Sequence, residues 1–139
     1  MDKQIKNRIA FCDKYIPLLQ VIEDDSDLKQ ACSKYSAYIR QNENPHPALM
    51  NYLYKYFMRE AYHGRMVITN YDELIQKNKL ESTADIPTSE KLKDLDSELI
   101  LACIAYHFRA DHFDEGSLIN ISIAKGYILI MLKEFRKKI

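Results

Sequence analysis

Three observations predict an all-α fold: one domain spanning 1–139, built as a compact bundle of about six helices with short connections. Apolar residues recur at spacings of three and four along most of the chain, the period of a helix with one buried face. Only three Gly and four Pro interrupt the 139 residues, and apart from Pro17 they fall between the periodic stretches or at their ends. Hydrophobic residues make up 47% and charged residues 29%, which is the composition of a chain with a core and not of a disordered one.

The first helix is predicted from Ile5, Ile9, Ile16, Leu19 and Ile22, with Tyr15 and Leu18 beside them and Pro17 as a bend or restart. After the acidic turn "EDDSD", Ser26 or Asp27 is expected to cap a second helix running to 38 or 40, with Leu28, Ala31, Cys32, Tyr35 and Ile39 on one side. "QNENPHP" breaks the chain, because each proline disfavours helix at the residue before it. A third helix is expected over 47–63, with Leu49, Met50, Leu53, Phe57 and Ala61 inward and Gly64 as a left-handed stop. "RMVI" reads as an extended link. Asn70 and Glu73, at capping-box spacing, open a short fourth helix.

Residues 81–93 form a polar connection long enough to be the flexible loop. Asp96 then caps "SELILACIAYHFRADHF", the expected central helix, whose stripe is Leu99, Ile100, Cys103, Ile104, His107 and Phe108. Ile119, Ile121 and Ile123 alternate with polar residues as a half-buried strand would. Gly126 and the following "YILIMLKEFRKK" nevertheless favour a helical stop and restart, so 117–124 is predicted helical. The core is expected to join Leu53, Phe57, Leu99, Cys103, Ile104, Phe108, Phe113, Ile128 and Leu132.

Twenty basic and twenty acidic side chains cancel, leaving no global field to steer the protein toward nucleic acid or acidic lipid. The first residues carry scattered charges and lack the apolar core of a signal peptide, and the longest apolar runs are too short to span a bilayer, so a soluble cytoplasmic protein without membrane contact is expected. Cys12, Cys32 and Cys103 are an odd set without CxxC spacing, which reads as reduced thiols in the core. HExxH, GxSxG and phosphate-binding glycine loops are all missing, and neither a cofactor nor a metal is expected.

Chemistry-bearing residues concentrate in "FRADHFDEG". One reading makes it catalytic, with Arg109 as an anion clamp, His112 as general base and Asp111, Asp114 or Glu115 as orienter or metal ligand. His107 and Asp111, four apart, have a metal-compatible spacing. The favoured reading is a structural knot, in which Arg109 pairs with acids of the next helix, Asp114 and Glu115 sit at that helix's positive end, Phe113 locks the corner and Gly116 lets the backbones approach. A second surface interleaves Tyr52, Lys55, Tyr56, Arg59 and Tyr62 along the third helix, and Lys133, Arg136, Lys137 and Lys138 make a basic tail. Such groups stack bases and hold phosphates, or form a tyrosine-rich protein contact; against nucleic-acid binding, the zero net charge favours a solvated helix face and a cationic helix end stabilised by the macrodipole.

Asp96 opening a helix, Arg109, the acid at 111, Phe113, Glu115 and Gly116, then Gly126 before "YILIMLKEF", together with the helix ahead of Gly64 and the Val67, Ile68 link, resemble the domain of unknown function 6508 family over 45–139. Residues 1–44 read as generic N-terminal helices. His112 stands where the family pattern has an arginine, and Thr69, Asn70 and Tyr71 where it often has Trp and Pro. The resemblance implies an all-helical fold and a bacterial or mobile-element setting, and it implies no reaction.

The expected function is therefore a non-catalytic interaction or regulatory protein, phage or mobile-element encoded, that binds a protein partner through Tyr52, Lys55, Tyr56, Arg59 and Tyr62, for example as an inhibitor of a host system. A homodimer is compatible with this reading. The alternatives are a small hydrolase or metal-dependent enzyme centred on Arg109, Asp111, His112 and Glu115, and a weak nucleic-acid binder.

Overall fold

The computed structural model describes residues 2–34, 48, 52–80, 89–113 and 118–139. Among these every regular element is helical: α1 Lys3–Glu23, α2 Ser26–Lys34, a π turn Leu53–Phe57 continuing into α3 Met58–His63, α4 Tyr71–Lys77, α5 Ser89–Lys93, α6 Ser97–Phe113, α7 Leu118–Ala124 and α8 Tyr127–Lys137. The all-α prediction holds, with more and shorter helices than expected.

α1 runs unbroken through Pro17. Pro17 is exposed, as is Asp13, whose carbonyl loses the missing N–H, so the defect faces outward where it costs least. The buried face is Phe11, Cys12, Tyr15, Leu19 and Ile22, while Ile5, Ile9 and Ile16 are half-buried. Aromatic residues thus set the helix's rotation where isoleucines were expected to.

Three helix ends differ from expectation. The Asp25 carboxylate, and neither Ser26 nor Asp27, caps α2 by accepting from the backbone N–H groups of Asp27 (3.0 Å) and Leu28 (3.2 Å). At the end of α3 the left-handed residue is Arg65 (φ 61°) and not Gly64 (φ −79°). Gly64 is required for space instead. A Cβ there would lie 3.0 Å from the Glu60 carbonyl oxygen and 3.6 Å from Phe11 Cβ, so glycine lets α1 and α3 meet. The Asn70 side chain makes no capping bond at α4. Asp96 caps α6 as expected, accepting from the Leu99 N–H at 2.9 Å.

α6 is the central helix. Ile100 through Ala105, His107 and Phe108 are all buried, so it is enclosed nearly all round, and Leu99 is half-buried at its start. α4 packs on it from one side and α7 and α8 from another, and α8 also covers α1 and α5. Residues 89–93, expected to be loop, are helical because Leu92 is fully buried and anchors them; 81–88, like 35–47, lie outside the described residues.

Residues 118–124 are helical despite their alternating isoleucines. Ile119 and Ile123, four apart, are buried with Asn120 and Ser122, while Ile121 is half-exposed. Period two was coincidental here, since a strand would have buried Ile121 with its two neighbours. Gly126 (φ 81°) then ends α7 and opens α8.

The three cysteines are free and buried. Burial pushes the thiols of Cys12 and Cys32 up to about 12, and that of Cys103 up to about 11. A thiolate is the reactive form, so all three should label with a maleimide only as fast as the protein opens. Labelling of Cys103 in native buffer at the rate of a small-molecule thiol would contradict its placement in α6.

Candidate functional site

The expected tyrosine face exists on the π turn and α3. Lys55, Tyr56, Arg59 and Tyr62 are exposed, with Tyr56 46% and Tyr62 37% accessible. Tyr52 is half-buried and packs at a tilt against Tyr56 with ring centroids 5.2 Å apart. On the opposite side Leu53, Phe57 and Ala61 enter the core. Phe57 meets Phe11 at 5.6 Å, Tyr15 edge-on at 4.8 Å and Phe108 at 5.4 Å. The face is therefore backed by an aromatic cluster that fixes its orientation.

A polar network anchors the same segment to α1. The Tyr15 hydroxyl donates to Glu60 Oε2 at 2.6 Å, and Lys14 Nζ donates to Glu60 Oε1 at 2.7 Å. The Tyr52 side chain lies close to both Lys14 and Tyr15. Partial burial works against ionisation of Glu60, but the hydrogen bonds from Lys14 and Tyr15 and the nearby positive charge of Lys14 outweigh it and hold the carboxyl below its usual range. Burial, then the bonds to Glu60 and Tyr52, drive the Tyr15 phenol well above its usual value.

These shifts have opposite consequences for stability. A carboxyl depressed on folding contributes stability above its unfolded pKa of about 4.3, lost as pH falls through the folded value; a phenol raised on folding contributes below about 10, lost as pH rises through the folded value. The expected result is a Tm that declines at both extremes. Glu60→Gln should flatten the acid side and Tyr15→Phe the alkaline side, as read by melting curves across pH; parallel curves for parent and variants would refute the network.

Beyond Tyr62 the chain turns through Gly64 and Arg65 into α4, and a pocket of about 490 Å³ opens between this turn and α6. Arg109 lies on its wall. Its hydrogen bond to Tyr62, set against a smaller desolvation cost, and a further bond to Tyr71 push its already high pKa upward. Arg109 thus stands beside the end of α3 and the start of α4. The expected knot between Arg109 and the helix that follows involves Asp114, Glu115 and Gly116, which lie outside the described residues, as do the side chains of Asp111, His112 and Phe113.

His107, considered as a metal ligand, is buried within 3.0 Å of Ser122 Oγ through Nδ1, and its ring meets those of Tyr106 and Tyr127 edge-on. It joins α6 to α7. Among the described residues no group of three His, Cys, Asp or Glu side chains is placed to hold a metal ion.

The basic tail is occupied within the fold. Lys133 donates to Gln20, Arg136 to Asp13 at 3.0 Å and Lys137 to Glu134 at 3.1 Å. Lys138 reaches the carbonyls of Leu92, Lys93 and Leu95 and so caps the C-terminal end of α5. Lys133, Arg136 and Lys138 thus hold α8 to α1 and to the end of α5, while Lys137 pairs within α8. Among the described residues no helix is long and apolar enough to cross a membrane.

No family model matches the chain, and no curated protein or solved structure matches it either.

Proposed function

We propose that this chain is a non-catalytic interaction protein that binds a protein partner through Tyr52, Lys55, Tyr56, Arg59 and Tyr62. The observation carrying this reading is the distribution of exposed apolar surface. Among the described residues three large apolar side chains are exposed, Val21, Tyr56 and Tyr62, and two of them share this one helix face. Tyrosine presents a large rigid area with a polar tip, and flanking arginine and lysine add charge selectivity at little entropic cost. Because the Tyr56 ring packs against the half-buried ring of Tyr52, it is pre-organised, which lowers the cost of ordering a contact.

A regulatory role for a phage or mobile-element product, such as inhibition of a host system, rests on the motif likeness over 45–139. The test is photo-crosslinking in the source cell from position 56, with Val21, exposed on α1, as the control. One discrete adduct from 56 and none from 21 is expected. Equal, diffuse adducts from both positions would sink the proposal.

A further inference from the structure

The exposed side of 52–63 carries a charge that a partner has to answer. Lys55 and Arg59, four residues apart, are both exposed on it. Among the described residues neither has an ion-pair or hydrogen-bond partner. Glu60, the one acid in this stretch, is turned to α1 and taken up by Lys14 and Tyr15. The face therefore presents two units of positive formal charge beside the exposed rings of Tyr56 and Tyr62, with no carboxylate of its own left to offset them.

Shape narrows the partner further. The surface is one side of a helix, whose backbone groups are engaged in their own turns and offer an extended peptide no ladder to join. A partner helix has its backbone satisfied already and loses nothing by lying alongside. Carboxylates four residues apart on such a helix repeat at about 6 Å, which is the spacing of Lys55 and Arg59. Side chains three and seven residues after the first carboxylate fall on the same stripe, where apolar groups would cover the two rings.

We propose that the partner docks through an acidic amphipathic helix, with carboxylates four apart on Lys55 and Arg59 and aliphatic side chains of the same stripe over Tyr56 and Tyr62. The inference rests on the interaction reading and names the chemistry of that contact. A second copy of this chain answers the charge poorly, since two such faces meeting symmetrically set cations against cations. Two cations neutralise about two phosphates, too few for a chain of zero net charge to hold a nucleic-acid strand.

The test is an NMR titration of the full-length chain with an alanine-rich helical peptide of about 15 residues that carries glutamates four apart and leucines on the same stripe, with its glutamine and lysine counterparts, and with an oligothymidylate. The glutamate peptide should give saturable shifts across residues 55–62 with a Kd on the order of 1 mM or tighter. The glutamine peptide should bind about three- to tenfold more weakly, as expected for the loss of two solvent-facing ion pairs, and added salt should close the gap. Lys55→Gln/Arg59→Gln should lose the preference without lowering Tm, and Lys55→Glu/Arg59→Glu should prefer the lysine peptide. Equal binding of the glutamate and glutamine peptides, absence of a saturable shift, or tighter binding of the oligothymidylate would overturn the proposal. Shifts at 55–62 that follow protein concentration with no peptide present would assign the face to a second copy and overturn it as well. Photo-crosslinking from position 56 separates this inference from the reading it rests on. Loss of the discrete adduct in Lys55→Gln/Arg59→Gln supports the acidic helix, an undiminished adduct overturns it while the protein contact stands, and diffuse adducts from the parent overturn both.

Discussion

Phe57→Ala is expected to destabilise the protein by about 3–5 kcal/mol, the range for deleting a buried aromatic ring. Phe57 is 1% exposed and its ring contacts Phe11, Tyr15 and Phe108, so it joins α1, the π turn and α6 in one cluster. Removing it leaves a cavity walled by three aromatic rings, and stiff rings close such a space poorly. Phe57→Leu should recover part of the loss, because volume matters more than aromaticity to this contact. Chemical denaturation of parent and both variants reads the series. Equal midpoints for parent and Phe57→Ala would show that the tyrosine face is not backed by the core as described.

Gly126→Ala should cost about 1–3 kcal/mol through two causes that can be separated. At φ 81° an alanine is strained in any surroundings, and its Cβ would also lie 3.1 Å from Glu23 Oε2. Glu23 cannot simply swing aside, since its other oxygen accepts from Lys29 Nζ at 3.0 Å. The carboxylate also stands at the N-terminal end of α8, where the helix dipole favours it. A double-mutant cycle with Glu23→Ala divides the cost: the part that disappears when Glu23 is truncated is contact, and the remainder is backbone strain. Full additivity would leave strain as the whole cause.

The helices were legible because burial imposes a period on the sequence, and where the period was long, as in α6, both the element and its central place were readable. Helix rotation and caps were less so. Asp25, Ser26 and Asp27 are all competent caps, and the choice among them depends on where the preceding helix releases the chain. Gly64 was expected for its freedom in φ and was needed for its missing Cβ, a distinction that depends on α1 lying against it. Short-range alternation at Ile119, Ile121 and Ile123 misleads for a similar reason, since Ser122 is buried through His107, fifteen residues away.

The candidate site shows the same division. The tyrosine spacing marked a face in advance, because helical geometry is local. The network under it joins Tyr15 to Glu60 across 45 residues, and the capping of α5 joins Lys138 to Leu92 across 46. Nothing in the local sequence of either partner signals the other. The contacts of Lys133 and Arg136 with α1 are longer still in sequence, so the run of charges in the tail carried no sign that it closes the fold.

The central claim is that Tyr56 and its neighbours bind a protein partner while contributing little to the fold. The most direct measurement is the Kd of the partner captured from position 56, determined by calorimetry for the parent and for Tyr56→Ala, with melting curves of both. Affinity should fall at least about tenfold, as for an aromatic residue at the centre of a contact, while stability changes by no more than about 1 kcal/mol. An unchanged Kd for Tyr56→Ala, with the partner still bound by a folded variant, would contradict the account.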